Sequence, residues 1–262
     1  MITWLPNETL QLDVVKKPKK LTGTRFAAIF GLDPNRTPFQ VWTEICRVYD
    51  KPFEETKYTR AGKIIEPKQA DFIQQKYSLT GLVSPTDMYG VDYLSKTWGD
   101  FFPLEEIYGG MWDRINMDNG EVKSVLEFKT TSHPEQWEDG KIPEHYALQV
   151  ALYAYLLKVD KVVLIPTALP KSAYDDPENF ICNEQNTWIV PFKLSERYPN
   201  FYNDYIVPTT KWWNDHVVKG ISPKYDVFNK NDAEILKYLK QMEQPMEPES
   251  PFVTVEEENP FA

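Results

Sequence analysis

Apolar positions along the chain follow two periods, one helical and one of strand type. Trp42, Ile45, Cys46 and Tyr49 recur at helical spacing and predict a helix with one face on a core. Thr37 is suited to cap that helix, Pro38 to fill its first turn and Gln40 to complete a capping box. A shorter helix is expected from Thr22 to Phe30, started by Thr22 or Thr24 and ended by Gly31. A third is expected over 59–77, where Pro67 removes a backbone donor and sets Glu66 at a bend or near a helix start. A fourth covers 144–158, with Leu148, Leu152, Tyr155 and Leu156 on a buried face and Tyr146, Gln149 and Tyr153 on the opposite one. Residues 197–219, with Trp212 and Trp213, read as an aromatic-rich helix.

The strand-type stretches are 108–130, 161–166 and 187–192. Asp118-Asn119-Gly120 is a tight-turn signal and splits the first stretch into a hairpin. Asp113 is then expected on its first strand, and Glu127 and Lys129 on its second. The mixture predicts an α/β (α+β) fold, a central mixed β-sheet flanked by helices. Three regions are expected: a polar lead-in over 1–21, one domain over 22–230, and an acidic C-terminal helix and tail over 231–262. The last 18 residues, from Pro245, are proline-rich and acidic and predict disorder.

Composition narrows the classes. At 42% hydrophobic and 26% charged residues the 262-residue chain has a globular balance. No stretch reaches the roughly 18 apolar residues of a membrane span, and the N-terminus lacks a signal-peptide pattern. Cys46 and Cys182 are too few and too far apart for a disulfide framework or a cysteine metal site, which favours ordinary core or surface roles and a reducing, intracellular setting. Net charge is −10, of which 231–262 carries −6, so a basic face on the rest is compatible with the total. Lys16, Lys17, Lys19 and Lys20 form one basic cluster that could touch phosphates.

The candidate chemistry lies in the hairpin. Glu127 and Lys129 share one strand face, while Leu126 and Phe128 point the other way. Alone, such a common pair reads as a surface ion pair. Asp113, brought across the turn, makes a different reading possible. Carboxylates of Asp113 and Glu127, with the backbone oxygen of Phe128, are hard ligands for Mg²⁺ (or Mn²⁺). Such an ion acidifies a bound water and offsets charge on a phosphate under attack. Lys129 could orient that water or stabilise the developing charge. Glu66 is a further candidate ligand, and Gln149 a candidate support from the following helix. His133 and His145 lack a nucleophile partner or a G-x-S-x-G elbow. No phosphate-binding P-loop is present.

The ordered set resembles the lambda exonuclease and YqaJ-like viral recombinase family, within the PD-(D/E)XK nuclease superfamily. The matching blocks are residues 22–42, the stretch from Arg60 through Glu66-Pro67, Gly110-Met111-Trp112-Asp113, Leu126-Glu127-Phe128-Lys129, and His145 through Gln149 with Tyr153. A weaker match covers 212–223. The resemblance implies a restriction-endonuclease-like core with Glu66, Asp113, Glu127 and Lys129 as the catalytic set and Gln149 in support. It implies Mg²⁺-dependent exonuclease action on linear duplex DNA, 5′ to 3′, leaving 3′ single-stranded tails for recombination by strand annealing. It further implies DNA ends and a single-strand annealing or SSB-type protein as partners, a possible homotrimer, and a phage or prophage origin in a bacterial cytoplasm, without membrane attachment. DNA contacts are expected from Arg25, Thr24, Tyr146, Tyr153, Lys19 and Lys20.

Departures from the family pattern are the stretch before Asp113, which lacks the usual neighbouring proline, and the long loop 84–102, which leaves Asp87 and Asp92 unplaced. A RecB- or Cas4-like nuclease module, an endonuclease, or an inactive DNA-binding scaffold of the same fold are the alternatives. The acidic tip Glu256-Glu257-Glu258-Asn259-Pro260-Phe261-Ala262 is expected to dock on a partner's basic pocket or to serve solubility.

Overall fold

A computed structural model describes residues 2–49 and 54–243. In chain order, β1 (Ile2–Leu5) and β2 (Thr9–Leu12) form a hairpin; β3 (Leu21–Thr22) then leads into α1 (Gly23–Phe26) and a 3₁₀ turn, Ala27–Phe30. There follow α2 (Pro38–Ile45), α3 (Lys57–Tyr77), β4 (Leu82–Val83), α4 (Pro85–Tyr89), α5 (Tyr93–Thr97) and β5 (Tyr108–Gly109). The chain continues through β6 (Arg114–Asp118), β7 (Glu121–Thr131), α6 (Glu144–Leu157), β8 (Lys161–Ala168), α7 (Lys171–Asp175), β9 (Val190–Lys193) and α8 (Leu194–Arg197). It then passes through α9 (Val207–Trp212), flanked by π-helical turns, to α10 (Lys230–Glu243).

The central sheet runs β4–β6–β7–β8–β9. The β7–β8 pair is parallel and the others antiparallel, so the sheet is mixed as expected. Asp118 pairs with Glu121 across a two-residue turn. Asn119 (φ 52°) and Gly120 (φ 79°) supply the positive φ that this turn needs. Strand alternation divides β7 cleanly. Leu126 and Phe128, with Ile165, pack on Ala70 and Ile73 of α3. Val125, with Val162 and Leu164, packs on Val150 and Ala154 of α6.

Several local expectations change in the structure. The lead-in is not only polar loop: Leu10 is fully buried, and β2 is tied to the C-terminal region by Leu12 N to Gly220 O at 2.9 Å and Ser222 N to Leu10 O at 2.8 Å. Thr37 caps α2, accepting from Gln40 N at 3.0 Å, but the Gln40 side chain turns to Glu44 (3.1 Å) and completes no box. The box forms instead at Thr56 and Thr59, starting α3 two residues early, and Pro67 and Glu66 lie well inside that helix. The stretch 197–219 is not one regular helix, because π turns interrupt it on both sides of α9. The loop 84–102 folds into α4 and α5, and Asp87 is placed as a cap, its carboxylate accepting from Ser84 N at 2.8 Å. The helix expected at the start of the acidic C-terminal region is present as α10, but it packs on the domain rather than standing apart: it buries Ile235, Leu236 and Leu239 against the core, and its Asp232 accepts from Thr37 Oγ1 at 2.5 Å. The expected disorder and docking tip lie outside the described residues.

The largest revision concerns α6. Residues 147–154 are buried on every side, including the face expected to be polar. Leu148, Ala151 and Leu152 meet Leu21, Phe26 and Ala27, while Val150, Tyr153 and Ala154 meet the sheet. The helix is thus a central layer between the sheet and the N-terminal helices. Cys46 and Cys182 are both free and buried, and burial pushes the Cys46 thiol up to about 12.

Tyr153 locks this layer to the backbone. A Cβ on Gly23 would stand 2.7 Å from its ring, and one on Gly110 2.6 Å. The ring is 2% exposed and has no room to withdraw. Gly23→Ala is therefore expected to cost about 1–3 kcal/mol through overpacking, read as a lowered midpoint in urea unfolding. An unchanged midpoint would show that the ring yields freely.

Candidate active site

The hairpin, α3 and α6 converge on a cleft of about 630 Å³. Glu66, Asp113, Arg114, Glu127, Lys129 and Gln149 all line it, together with Thr22 and Thr24 from the start of the N-terminal helical layer. The dispersed sequence set is thus gathered in one place. Each residue arrives by a separate element: Glu66 from the middle of α3, Asp113 from the residue before β6, Glu127 and Lys129 from β7, and Gln149 from the buried core of α6.

Glu127 is the centre of this arrangement. It is a carboxylate at 2% exposure inside an otherwise apolar layer. Its Oε1 accepts from Gln149 Nε2 at 2.5 Å and from Lys129 Nζ at 2.9 Å. Its Oε2 is buried with no hydrogen-bond partner among the described residues. Asp113 lies across the hairpin, where its Oδ2 accepts from the Phe128 backbone N–H at 2.8 Å. That bond fixes the carboxylate against β7 and leaves the Phe128 carbonyl on the same residue. Glu66 Oε1 accepts from Arg114 Nη1 at 2.8 Å.

The electrostatics point one way. Burial first, then the charge of Asp113, raises the carboxyls of Glu127 and Glu66 above their ordinary range. Burial likewise raises Asp113, against the opposing pull of Lys129. Burial would lower Lys129, but the carboxylates of Glu127 and Asp113 outweigh it and hold the ammonium above its usual value. Three crowded carboxyls that resist ionisation mark a site short of positive charge. The donor set is all oxygen, one buried oxygen is unclaimed, and two carboxylates face a shared space. Asp113, Glu127 and the Phe128 carbonyl therefore fit a hard divalent cation, whereas Glu66, expected as a further ligand, pairs with Arg114 and does not complete a three-carboxylate group among the described residues.

The expected DNA contacts divide. Thr24 is exposed and lines the cleft, with its hydroxyl 3.1 Å from that of Thr22. Arg25 is held by Glu44 (Nε to Oε2, 2.7 Å) and reaches Thr22 at 3.1 Å. Lys20 is ion-paired with Asp100 and donates to the Phe102 carbonyl at 2.8 Å, so its charge is spent within the fold. Lys19 bonds through its backbone to Ile45 O at 2.9 Å. Tyr146 stacks on Trp137 at 5.7 Å and lies 5.1 Å beneath Lys129 Nζ, which makes it a prop for that lysine. Tyr153 lines the cleft floor but is a buried wedge rather than a DNA-facing side chain, for the steric reason given above. His133 is exposed beside Glu135, and His145 lies against Tyr146; neither belongs to the cleft.

One residue behind the site and one in its wall carry weak sequence signals. Gln69, 1% exposed on α3, donates to Lys129 O (3.1 Å), Ile165 O (2.8 Å) and Thr167 Oγ1 (2.8 Å), which ties the end of β7 to α3. Its signal is an amide three residues after Glu66, between the buried positions Ile65 and Ala70. Arg114 had no signal beyond its place beside Asp113. Among the described residues no helix is long and apolar enough to cross a membrane.

Comparison with known proteins agrees with this architecture. The curated protein MG373 of Mycoplasma genitalium, itself described as uncharacterized, is 28% identical over 246 residues, covering 79% of this chain and 83% of its own length. Its homolog in Mycoplasma pneumoniae is 26% identical over 249 residues, with the same two coverages. Among solved structures, LHK-Exo from Laribacter hongkongensis in complex with dAMP has a similar fold, with a TM-score of 0.50 and 14% identity over 85% of this chain and 92% of that one. The profile of the YqaJ-like viral recombinase domain matches residues 15–157, more than half the chain and the whole set from Thr22 to Gln149. The chain belongs to the YqaJ-like viral recombinase domain family.

Proposed function

We propose that this protein is a divalent-cation-dependent deoxyribonuclease that degrades one strand of linear duplex DNA from its end, 5′ to 3′. The observation that carries the reading is the unclaimed Oε2 of buried Glu127, facing Asp113 in a cleft that also holds Lys129. A buried carboxylate oxygen without a donor costs several kcal/mol unless something binds it. Mg²⁺ or Mn²⁺ held by Asp113, Glu127 and the Phe128 carbonyl would supply that partner, acidify a water and polarise the phosphate.

The chain's own residues do the rest. Lys129, pinned between Glu127 and the Tyr146 ring, presents an ammonium for the attacking water or the charge that grows on phosphate. Gln149 fixes Glu127 Oε1, so that the free oxygen keeps one direction. Charge balance also supports a phosphodiester as substrate. With Glu66, Asp113 and Glu127 all ionised, as a bound cation would favour, three carboxylates against Lys129 and Arg114 leave the cluster one negative charge in excess. A divalent cation reverses that to one positive charge, which a single phosphodiester neutralises. Membership of a recombinase family supports a role in making 3′ single-stranded tails, with an annealing or SSB-type protein as recipient and a ring of three chains as one possible assembly. The alternative of an inactive scaffold is disfavoured because Glu66, Asp113, Glu127, Lys129 and Gln149 all reach the same cleft.

Incubation with linear and closed-circular duplex DNA is expected to give Mg²⁺-dependent loss of the linear form alone, abolished by chelation and restored by added Mg²⁺. Lys129→Ala is expected to slow the reaction by about 10²–10³-fold. No digestion by the parent would refute the enzyme reading, and equal loss of circles would make it an endonuclease. Gln149→Ala is expected to weaken cation affinity or activity roughly 10- to 100-fold. A Mg²⁺ titration of initial rates checks this, and a variant with parental cation dependence would remove Gln149 from the site.

A further inference from the structure

The cleft holds a second cation that the mechanism above leaves idle. Arg114 opens β6, one residue after Asp113, and its side chain keeps only 14% exposure. Three contacts fix it. Nη1 donates to Glu66 Oε1 at 2.8 Å and to the Asp113 carbonyl at 2.6 Å, and the guanidinium lies 5.8 Å from the centre of the Phe128 ring. These bonds use both hydrogens of Nη1. Nε and Nη2 have no hydrogen-bond partner among the described residues. Neither is sealed away, since the buried side-chain polar atoms lacking partners are Gln40 Oε1, Glu127 Oε2 and Trp137 Nε1.

This geometry differs from that of an ordinary structural ion pair. A guanidinium that serves only a carboxylate commonly meets it two-pronged. Arg114 meets Glu66 through one nitrogen and lines the cleft, with its Nε–Nη2 edge unpaired among the described residues. Three N–H groups of this cation are thus left to water or to an incoming acceptor. That edge is a rigid fork matched to two oxygens of a phosphate. Its anchors are the same residues, Glu66, Asp113 and Phe128, that border the cation site, so a phosphate drawn to that site would meet the fork.

We propose that Arg114 is a catalytic residue that grips the non-bridging oxygens of the scissile phosphate through its Nε–Nη2 edge. The proposal rests on the nuclease reading and adds a second charge contact to it. Glu66 then has a further task, holding the fork in position, and Phe128 supports the guanidinium face. Without Arg114 the cation-loaded cleft would no longer balance the charge of a phosphodiester.

The test is single-turnover cleavage of duplex ends whose scissile linkage carries oxygen, an Rp or an Sp phosphorothioate, by the full chain. Arg114→Ala is expected to slow the oxygen substrate by about 10²–10³-fold. Arg114→Lys is expected to recover little of this, because an ammonium lacks the fork. Sulfur in the gripped position should slow the parent, and Arg114→Ala should lose markedly less on that isomer than on oxygen. A purely structural role would not produce such a selective change. Equal losses on all three substrates would overturn the proposal. Thermal melting reports folding, with Arg114→Lys as the variant that keeps charge and stem. A parent inactive on DNA refutes the nuclease reading and this proposal together, whereas an active parent indifferent to Arg114→Ala refutes this one alone.

Discussion

One buried carboxylate organises this molecule. Glu127 sits on a strand face otherwise occupied by Val125, Val162 and Leu164, under a helix that is buried from Ala147 to Ala154. Leaving water costs such a group several kcal/mol. Gln149 and Lys129 compensate on one oxygen only. Hydrogen bonds to a charged group contribute about 1.5–3 kcal/mol each, so two of them do not remove the need for a partner at the other oxygen. The fold holds an imbalance here, and a cation is the simplest group to relieve it.

The surrounding architecture keeps that imbalance in place. A carboxylate on a surface loop would turn to water, but Glu127 is in the middle strand of a five-stranded sheet, with layers on both faces. Parallel pairing of β7 with β8 fixes its height, and Gln69 ties the end of β7 to α3. Tyr153, wedged against Gly23 and Gly110, sets how closely the N-terminal layer and the segment leading to Asp113 approach α6. Rigidity is useful for hydrolysis, because groups that stabilise developing charge act best when they need not reorganise.

Much of this was legible in the sequence, for physical reasons that differ by residue. The Asn119-Gly120 turn fixed the hairpin, and alternation then put Glu127 and Lys129 on one face without further information. The helical spacing of Gln149 foretold that it would meet that face. What local patterns could not carry was burial in three dimensions. Tyr146 and Tyr153 looked like a polar edge of α6, yet Trp137 and Lys129 cover the first and Gly23 and Gly110 close on the second, so one became a prop for Lys129 and the other a wedge. Lys20 read as a phosphate contact because Asp100, eighty residues away, is invisible to a local pattern. The same limit hid Arg114: its partner Glu66 is forty-eight residues earlier, on another element. The hairpin at residues 2–12 was missed because the bonds that dock it on the domain reach Gly220 and Ser222, some two hundred residues away and invisible to a local pattern.

The claim on which everything rests is that Glu127 and Asp113 hold a divalent cation before any DNA is present. Mn²⁺ titration followed by electron paramagnetic resonance reports this directly, since the signal of the free aqueous ion falls as it is bound. The account predicts saturable loss of signal with the parent protein and none above background with Glu127→Gln, at matched folding by melting temperature. Equal Mn²⁺ binding by both proteins, or none by either, would contradict it.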